Sequence, residues 1–360
     1  MVPLARLLLL LITCSFLFSC NQKTDVSRAV YYWKNNDRRL YSDEVEFLAN
    51  AQIEKCYVKF FEVAEDGAWV AAPIPKSRLE FGYNFKIHDT IQQNKIDTCI
   101  KNMEIIPTIY VENSVVLHLK KNELDTLAGN ILYLVEKYWR EHYVRVKNHY
   151  TAIQIDCDWT PKSKENYFYL LQQIKNRNKN LSLSCTLRLY PYAYPDSMGV
   201  PPVDRAMLMC YNLTTPLQNE NKNSILDLKE LEAYLNLAQP YPLPLDIALP
   251  VFSYQFLYQN NQYAGLLNTP VENLTAYVKL KSPMWYEVTN DLILDDKFLR
   301  GGDEIKIESI SDTLINQAID LLVKYLPYEH NMTVSLFHLD DNTINNYELE
   351  NINGFYNSFQ

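Results

Sequence analysis

Two acids one residue apart, Asp156 and Asp158, stand in the run Ala152–Thr160 (AIQIDCDWT), where Ile153, Ile155, Cys157 and Trp159 form one apolar set. Alternate side chains of a strand face opposite ways, so Gln154, Asp156, Asp158 and Thr160 share the other face. Stacked carboxylates are the equipment of glycosidic-bond chemistry, one serving as acid and the other as nucleophile or base. The same parity applies to other apolar runs. In Cys56–Glu62, Val58 and Phe60 suit a helix layer and leave Tyr57, Lys59 and Phe61 facing inward. In Leu181–Leu189 the inward set is Ser184, Thr186 and Arg188, and in Ala206–Leu213 it is Met207, Met209 and Tyr211.

A buried acid costs several kcal/mol unless it is paired, and Lys59 is the expected counter-charge for Asp156. The pair has either a purely structural role or a place in the site. Asp158, Arg188, Tyr211 and Asn212 fall at strand ends, where barrel enzymes collect their catalytic groups. Asp158 has a bland alternative as a cap on the next helix through Thr160-Pro161. Glu62, Asp340 and Asp341 also close strands, where solvated acids are ordinary. Trp33 and Trp159 are the candidates for stacking on a sugar, although the parity of Trp159 aims it at the helices.

Eight short runs rich in β-branched and aromatic residues recur along the chain: Ala29–Lys34, Cys56–Glu62, Ile105–Val111, Ala152–Thr160, Leu181–Leu189, Ala206–Leu213, Leu245–Tyr254 and Met332–Asp340. Between most of them lie stretches with helical period. The clearest, from about 122 to 141, carries Leu124, Leu127, Ile131, Leu134, Val135 and Tyr138 on one stripe. Others begin near Ser42, Ser163, Asp227 and Ser311. The repeated alternation predicts an α/β fold, a single (β/α)8 TIM barrel over 29–360. An open doubly wound sheet is the alternative. Residues from about 255 to 310 break the rhythm. Their second half alternates like a small antiparallel unit turning at Gly301-Gly302, so they read as an α+β insertion between strand seven and the last helix.

With 8 glycines, of which only Gly301 and Gly302 are close together, no G-x-G-x-x-G, G-x-x-x-x-G-K-[ST] or G-x-S-x-G can be written. Nucleotide-binding loops and the hydrolase elbow are excluded. A net charge of −9 disfavours nucleic acid. The 6 histidines are scattered and no C-x-x-C occurs, so neither a metal nor another cofactor is expected. Cys56, Cys99, Cys157, Cys185 and Cys210 read mostly as buried thiols in apolar runs.

Residues 1–20 have the short apolar core of a signal peptide and end in Leu17-Phe18-Ser19-Cys20. This ending resembles a bacterial lipobox, which implies lipidation of Cys20, a tether over 21–28 and an address on the bacterial envelope.

Asp156-Cys157-Asp158 with Thr160, Met209-Cys210-Tyr211-Asn212 and Ala248-Leu249-Pro250 followed by an insertion resemble the chitinase-type barrels of glycoside hydrolase family eighteen. The family shows D-x-x-D-x-D-x-E, M-x-Y-D and a G-x-P strand. The likeness spans most of the chain in layout and is specific in those three places. It implies that Asp158 orients the substrate's N-acetyl group, that Asp156 shares a proton or hydrogen bond with it, and that Tyr211 holds the same acetamide. Thr160 stands where the family has its general-acid glutamate, and Asn212 where it has an aspartate. A threonine hydroxyl cannot protonate a leaving oxygen. Either Glu62, Glu287 of the insertion or Asp340 supplies the acid, or the barrel binds a glycan without cleaving it, with Lys59, Arg188, Asn212 and Trp33 among the binding residues. The strand around Asp156 and the lead-in Gly199–Arg205 also resemble a group of uncharacterised bacterial lipoproteins. The reading at this level is an envelope lipoprotein acting on or binding a carbohydrate. The alternative is an inactive glycan-binding or envelope-assembly lipoprotein, and an assembly role would show as an exposed apolar patch on the insertion.

Overall fold

The computed structural model describes residues 25–34, 40–65, 73–74, 90–143, 148–217, 221–237, 240–327, 331–340 and 346–360. Cys20, the segment before it and Asp341 lie outside the described residues.

The eight apolar runs become eight parallel strands: β1 Asp25–Tyr32, β2 Lys55–Val63, β3 Glu104–Val111, β4 Ala152–Asp156, β5 Ser182–Arg188, β6 Arg205–Met209, β7 Leu245–Pro250 and β8 Asn331–Phe337. They pair in order, and β8 joins both β7 and β1, so the sheet closes into a barrel with no open edge. β1 starts earlier than the sequence suggests. Val26 is buried opposite Met332, and Arg28 donates to Ala51 O, Asn353 and Asn357, so residues 25–28 belong to the barrel and not to a tether.

The surrounding layer consists of α1 Ser42–Asn50, α2 Thr90–Asn102, α3 Lys121–His142, α4 Lys164–Arg177, α5 Leu228–Leu237, α6 Asp312–Tyr325 and α7 Leu349–Asn357. Local chemistry explains where several of them begin. Asp227 accepts the N–H groups of Lys229 and Glu230 ahead of α5, and Ser311 accepts that of Leu314 at the start of α6. The stripe on α3 buries Leu124, Leu127, Ile131, Val135 and Tyr138. α2 was not foreseen, and it buries only Ile96. α7 was also not foreseen. It closes the ring by burying Ile352, Phe355 and Tyr356, whose hydroxyl donates to Ala29 O. Between β5 and β6 the layer thins to the short helices Leu189–Ala193 and Pro195–Met198.

The insertion is larger than its second half. Its antiparallel sheet runs Gln262–Leu266, Tyr254–Gln259, Glu304–Glu308, Trp285–Val288, Val278–Ser282, so Tyr254, expected to end the seventh barrel strand, opens the insertion instead. Leu257, Leu267, Leu274, Val288, Leu299, Ile305 and Ile307 form a core separate from that of the barrel. Gly302, at φ 96°, takes the left-handed turn foreseen at Gly301-Gly302. The buried pair Lys306–Glu308 (2.7 Å) ties the sheet to the loop after β6: Lys306 donates to Lys222 O, and Glu308 accepts the N–H of Ser224. Leu280, Ile293 and Phe298 are exposed on the insertion. Cys56, Cys157, Cys185 and Cys210 are buried free thiols and Cys99 a half-buried one. Among the described residues no helix is long and apolar enough to cross a membrane.

Candidate functional site

The site is built on the C-terminal ends of β2 to β6. Along β2 and β3, Lys59 lies opposite Thr108 and Phe61 opposite Ile109, so Phe60 is an extra residue. A bulge of this kind reverses the phase of the strand. Phe61 therefore leaves the interior and packs edge-on against Tyr138 of α3, with ring centroids 5.9 Å apart. Lys59 and Glu62 come to the same side and form a buried ion pair. Both are corrections: the sequence aimed Phe61 inward and paired Lys59 with Asp156. The Lys59 ammonium also lies 5.2 Å from the centroid of the Trp33 ring, which packs on Tyr31 and Phe337.

Glu62 is opposite Tyr110, and Tyr110 is opposite Asp156, which gives one row across three strands. Asp156 is 8% exposed and accepts a 2.6 Å hydrogen bond from the hydroxyl of Thr186, its inward neighbour on β5. Burial pushes its carboxyl up to about 6, with the charge of Asp158 adding to the rise. The Thr186 bond, Arg188 and Lys59 oppose it. One layer deeper, Gln154 accepts the hydroxyl of Tyr31 at 2.6 Å.

β4 stops at Asp156, so Asp158 is a loop residue and not a strand residue. It reaches the mouth nonetheless. Arg188, at the end of β5, donates to Asp158 at 2.8 Å and to the carbonyl of Asn212 at 3.0 Å, joining the loops after β4 and β6. The capping role considered for Asp158 falls elsewhere. The turn into α4 is held by Ser163, whose Oγ accepts the Thr160 N–H at 2.9 Å and donates to Asn113 Oδ1 at 2.5 Å. The Thr160 hydroxyl sits 3.3 Å from the same Oγ, so it belongs to this turn. Ser163 occupies the N-cap position but makes no capping bond with its side chain.

Tyr211 is buried, stacked on Phe337 with centroids 4.9 Å apart and edge-on to Phe252. Burial, with Asp156 adding, holds its phenol well above the ordinary value. Trp159 faces α4 as its parity required, stacked on Tyr167 at 5.3 Å with its N–H on Met198 O. A cavity of about 270 Å³ opens beside these residues, lined by Trp159, Arg188, Tyr190, Tyr211, Asn212 and Tyr234 among others; Asp156 and Asp158 do not line it.

The remaining candidates do not gather there. Asp340 pairs with Lys34 at 3.4 Å and lines a second cavity of about 350 Å³, with His338, Gln255 and Thr269, where the end of β8 meets the insertion. Glu287 is half-buried on the insertion sheet. Lys279, at 2.8 Å, holds its carboxyl below the usual range, and it lines neither cavity. Among the described residues no group of three or more His, Cys, Asp or Glu could hold a metal ion. Sequence reasoning did not include Thr186 or Tyr110 among the site residues, although inward parity on the third and fifth strands marks both.

No family model and no curated protein matches the chain. Solved structures do. The spore cortex-lytic enzyme SleL of Bacillus megaterium superposes with a TM-score of 0.55 at 16% identity, over 95% of this chain and 76% of that one. An Ostrinia furnacalis Group IV chitinase gives 0.51 at 10%, over 93% and 99%. The GH18 chitinase ChiB of Flavobacterium johnsoniae gives 0.50 at 13%, over 93% and 94%. With its closed eight-stranded parallel sheet, the chain has a (β/α)8 TIM-barrel fold, which it shares with these structures.

Proposed function

We propose that this barrel holds an acetamido glycan at its mouth without cleaving it by the chitinase route, and that lipid on Cys20 keeps it on a bacterial envelope membrane. Thr160 carries the reading. It stands where the resembled family has its general acid, and its hydroxyl is engaged with Ser163 in the turn before α4. The groups that would receive an acetamide are Asp158, held by Arg188, Asp156, held by Thr186, and Tyr211, whose phenol feels the charge of both acids. The chitinase and cortex-lytic names of the structural neighbours support a glycan as the ligand class. The envelope address rests on the Leu17–Cys20 pattern alone.

One observation favours hydrolysis as a second reading. A carboxyl with a pKa of about 6, as at Asp156, is protonated often enough near neutrality to act as a general acid. The test is a soluble form lacking residues 1–20, assayed for binding and cleavage on a panel of acetylated and plain oligosaccharides. Binding of acetylated members with no new reducing ends supports the proposal. Cleavage that falls as pH rises through about 6 would replace it with the second reading, and the absence of any binding would reject both.

A further inference from the structure

The segment after β5 is too short to cover the barrel as its helical neighbours do, and it carries two tyrosines that the core does not use. On the helix Leu189–Ala193 and just beyond it, Leu189, Tyr192 and Ala193 are buried, whereas Tyr190 and Tyr194 are 50% and 40% exposed. Four residues apart on one helical turn, they stand side by side, with ring centroids 4.8 Å apart and planes tilted by 43°. Tyr190 also lines the 270 Å³ cavity, together with Arg188, Tyr211 and Tyr234. The Tyr234 phenol is raised by burial, then by Glu230, Tyr194 and Tyr190, and lowered by Arg188; Tyr234, Tyr190 and Arg188 share the wall of this cavity.

An exposed aromatic surface continuous with a cavity lined by Arg188 and Asn212 has two characters, a flat apolar face next to hydrogen-bonding groups. A pyranose ring is divided in the same way, with C–H groups on its face and hydroxyls around its edge. Neither tryptophan named from the sequence offers such a surface. Trp33 lies under the Lys59 ammonium, and Trp159 is 4% exposed against α4.

We propose that Tyr190 and Tyr194, with Tyr234 at the cavity's edge, form the stacking platform for the sugar ring next to the one held at Asp158. The glycan then leaves the mouth over the β5–β6 side and not over the insertion. This rests on the glycan-binding reading above. The soluble form lacking residues 1–20 is titrated calorimetrically with N-acetylglucosamine oligomers of two and five units. Tyr190→Ala and Tyr194→Ala are each expected to weaken binding of the longer oligomer about tenfold and to leave the shorter within about twofold, while Tyr190→Phe behaves as wild type. Thermal melting checks that each variant is folded. Undiminished affinity for the longer oligomer in both alanine variants overturns the platform and leaves the glycan reading standing. Equal losses for both lengths would put the tyrosines at the Asp158 sugar itself and also overturn it. If wild type binds neither oligomer, the glycan reading and the platform fall together.

Discussion

The barrel has an arginine–aspartate pair at each end, and the two are built differently. At the floor, Asp246 on β7 is 3% exposed. It takes both Nε and Nη2 of Arg205 at 3.0 and 2.8 Å and accepts the backbone N–H of Thr333 on β8. At the mouth, Asp158 takes one 2.8 Å bond from Arg188, and the two side chains are 45% and 39% exposed. The floor carboxylate accepts three bonds and stitches adjacent strands together. The mouth carboxylate is pre-oriented by its partner and keeps lone pairs open to solvent. Buried pairs become structural because removing one member strands the other, whereas exposed pairs contribute little to folding and can serve a ligand.

The comparison can be broken in four places, taken here in order of expected size. Asp246→Ala should destabilise the fold by about 4 kcal/mol in urea denaturation, because it leaves the buried Thr333 N–H without its acceptor and takes the counter-charge from the Arg205 guanidinium, which keeps its bond to Asn331 O. A loss below about 1 kcal/mol would mean that the floor pair is no more structural than the mouth pair. Lys59→Met tests whether burial or position along the axis decides, since Lys59 and Glu62 lie toward the mouth yet are 4% and 11% exposed. Stranding Glu62 should cost about 3 kcal/mol, and an unchanged melting temperature would make position the deciding factor.

Asp156 lies between the extremes, buried but held by a neutral hydroxyl, and its signature is pH dependence. Its pKa is raised from 3.8 to about 6, so the folded protein holds that proton more tightly than the unfolded chain does. The resulting stability is complete below about pH 4 and is lost as pH rises through about 6. Asp156→Asn should therefore be more stable than wild type at pH 7.5, by an amount on the order of 2 kcal/mol, and melt like wild type at pH 4. Identical differences at the two pH values would mean that the carboxyl titrates alike in the folded and unfolded chains. Asp158→Asn should be the mildest, changing stability by less than about 1 kcal/mol while abolishing binding of acetylated oligosaccharides in the soluble form. Binding equal to wild type would remove Asp158 from the site.

What could be read from the sequence followed from periodicity. The β4 and β5 parities placed Gln154, Asp156, Thr186 and Arg188 correctly because those strands are regular and their outer faces are wholly apolar. β2 misled because Phe60 and Phe61 are chemically alike, so nothing in the residue types announces the bulge that sends both outward and brings Glu62 in. β4 and β7 are shorter than their sequence runs for a related reason: the pattern continues into Cys157-Asp158-Trp159 and Val251–Tyr254, where the backbone has already left the barrel sheet. Tyr190 and Tyr194 could not be singled out among 27 tyrosines until exposure separated them from Tyr192.

The direction of β1 has a last consequence. It enters the sheet at Asp25 on the floor and runs toward the mouth, so the first described residue of the barrel lies at the end opposite the candidate site. With an acylated Cys20, as proposed, the five steps from there to Asp25 reach under about 20 Å even at full stretch. In a molecule anchored as proposed, Arg205 and Asp246 would then lie on the membrane side and the barrel's opening on the other.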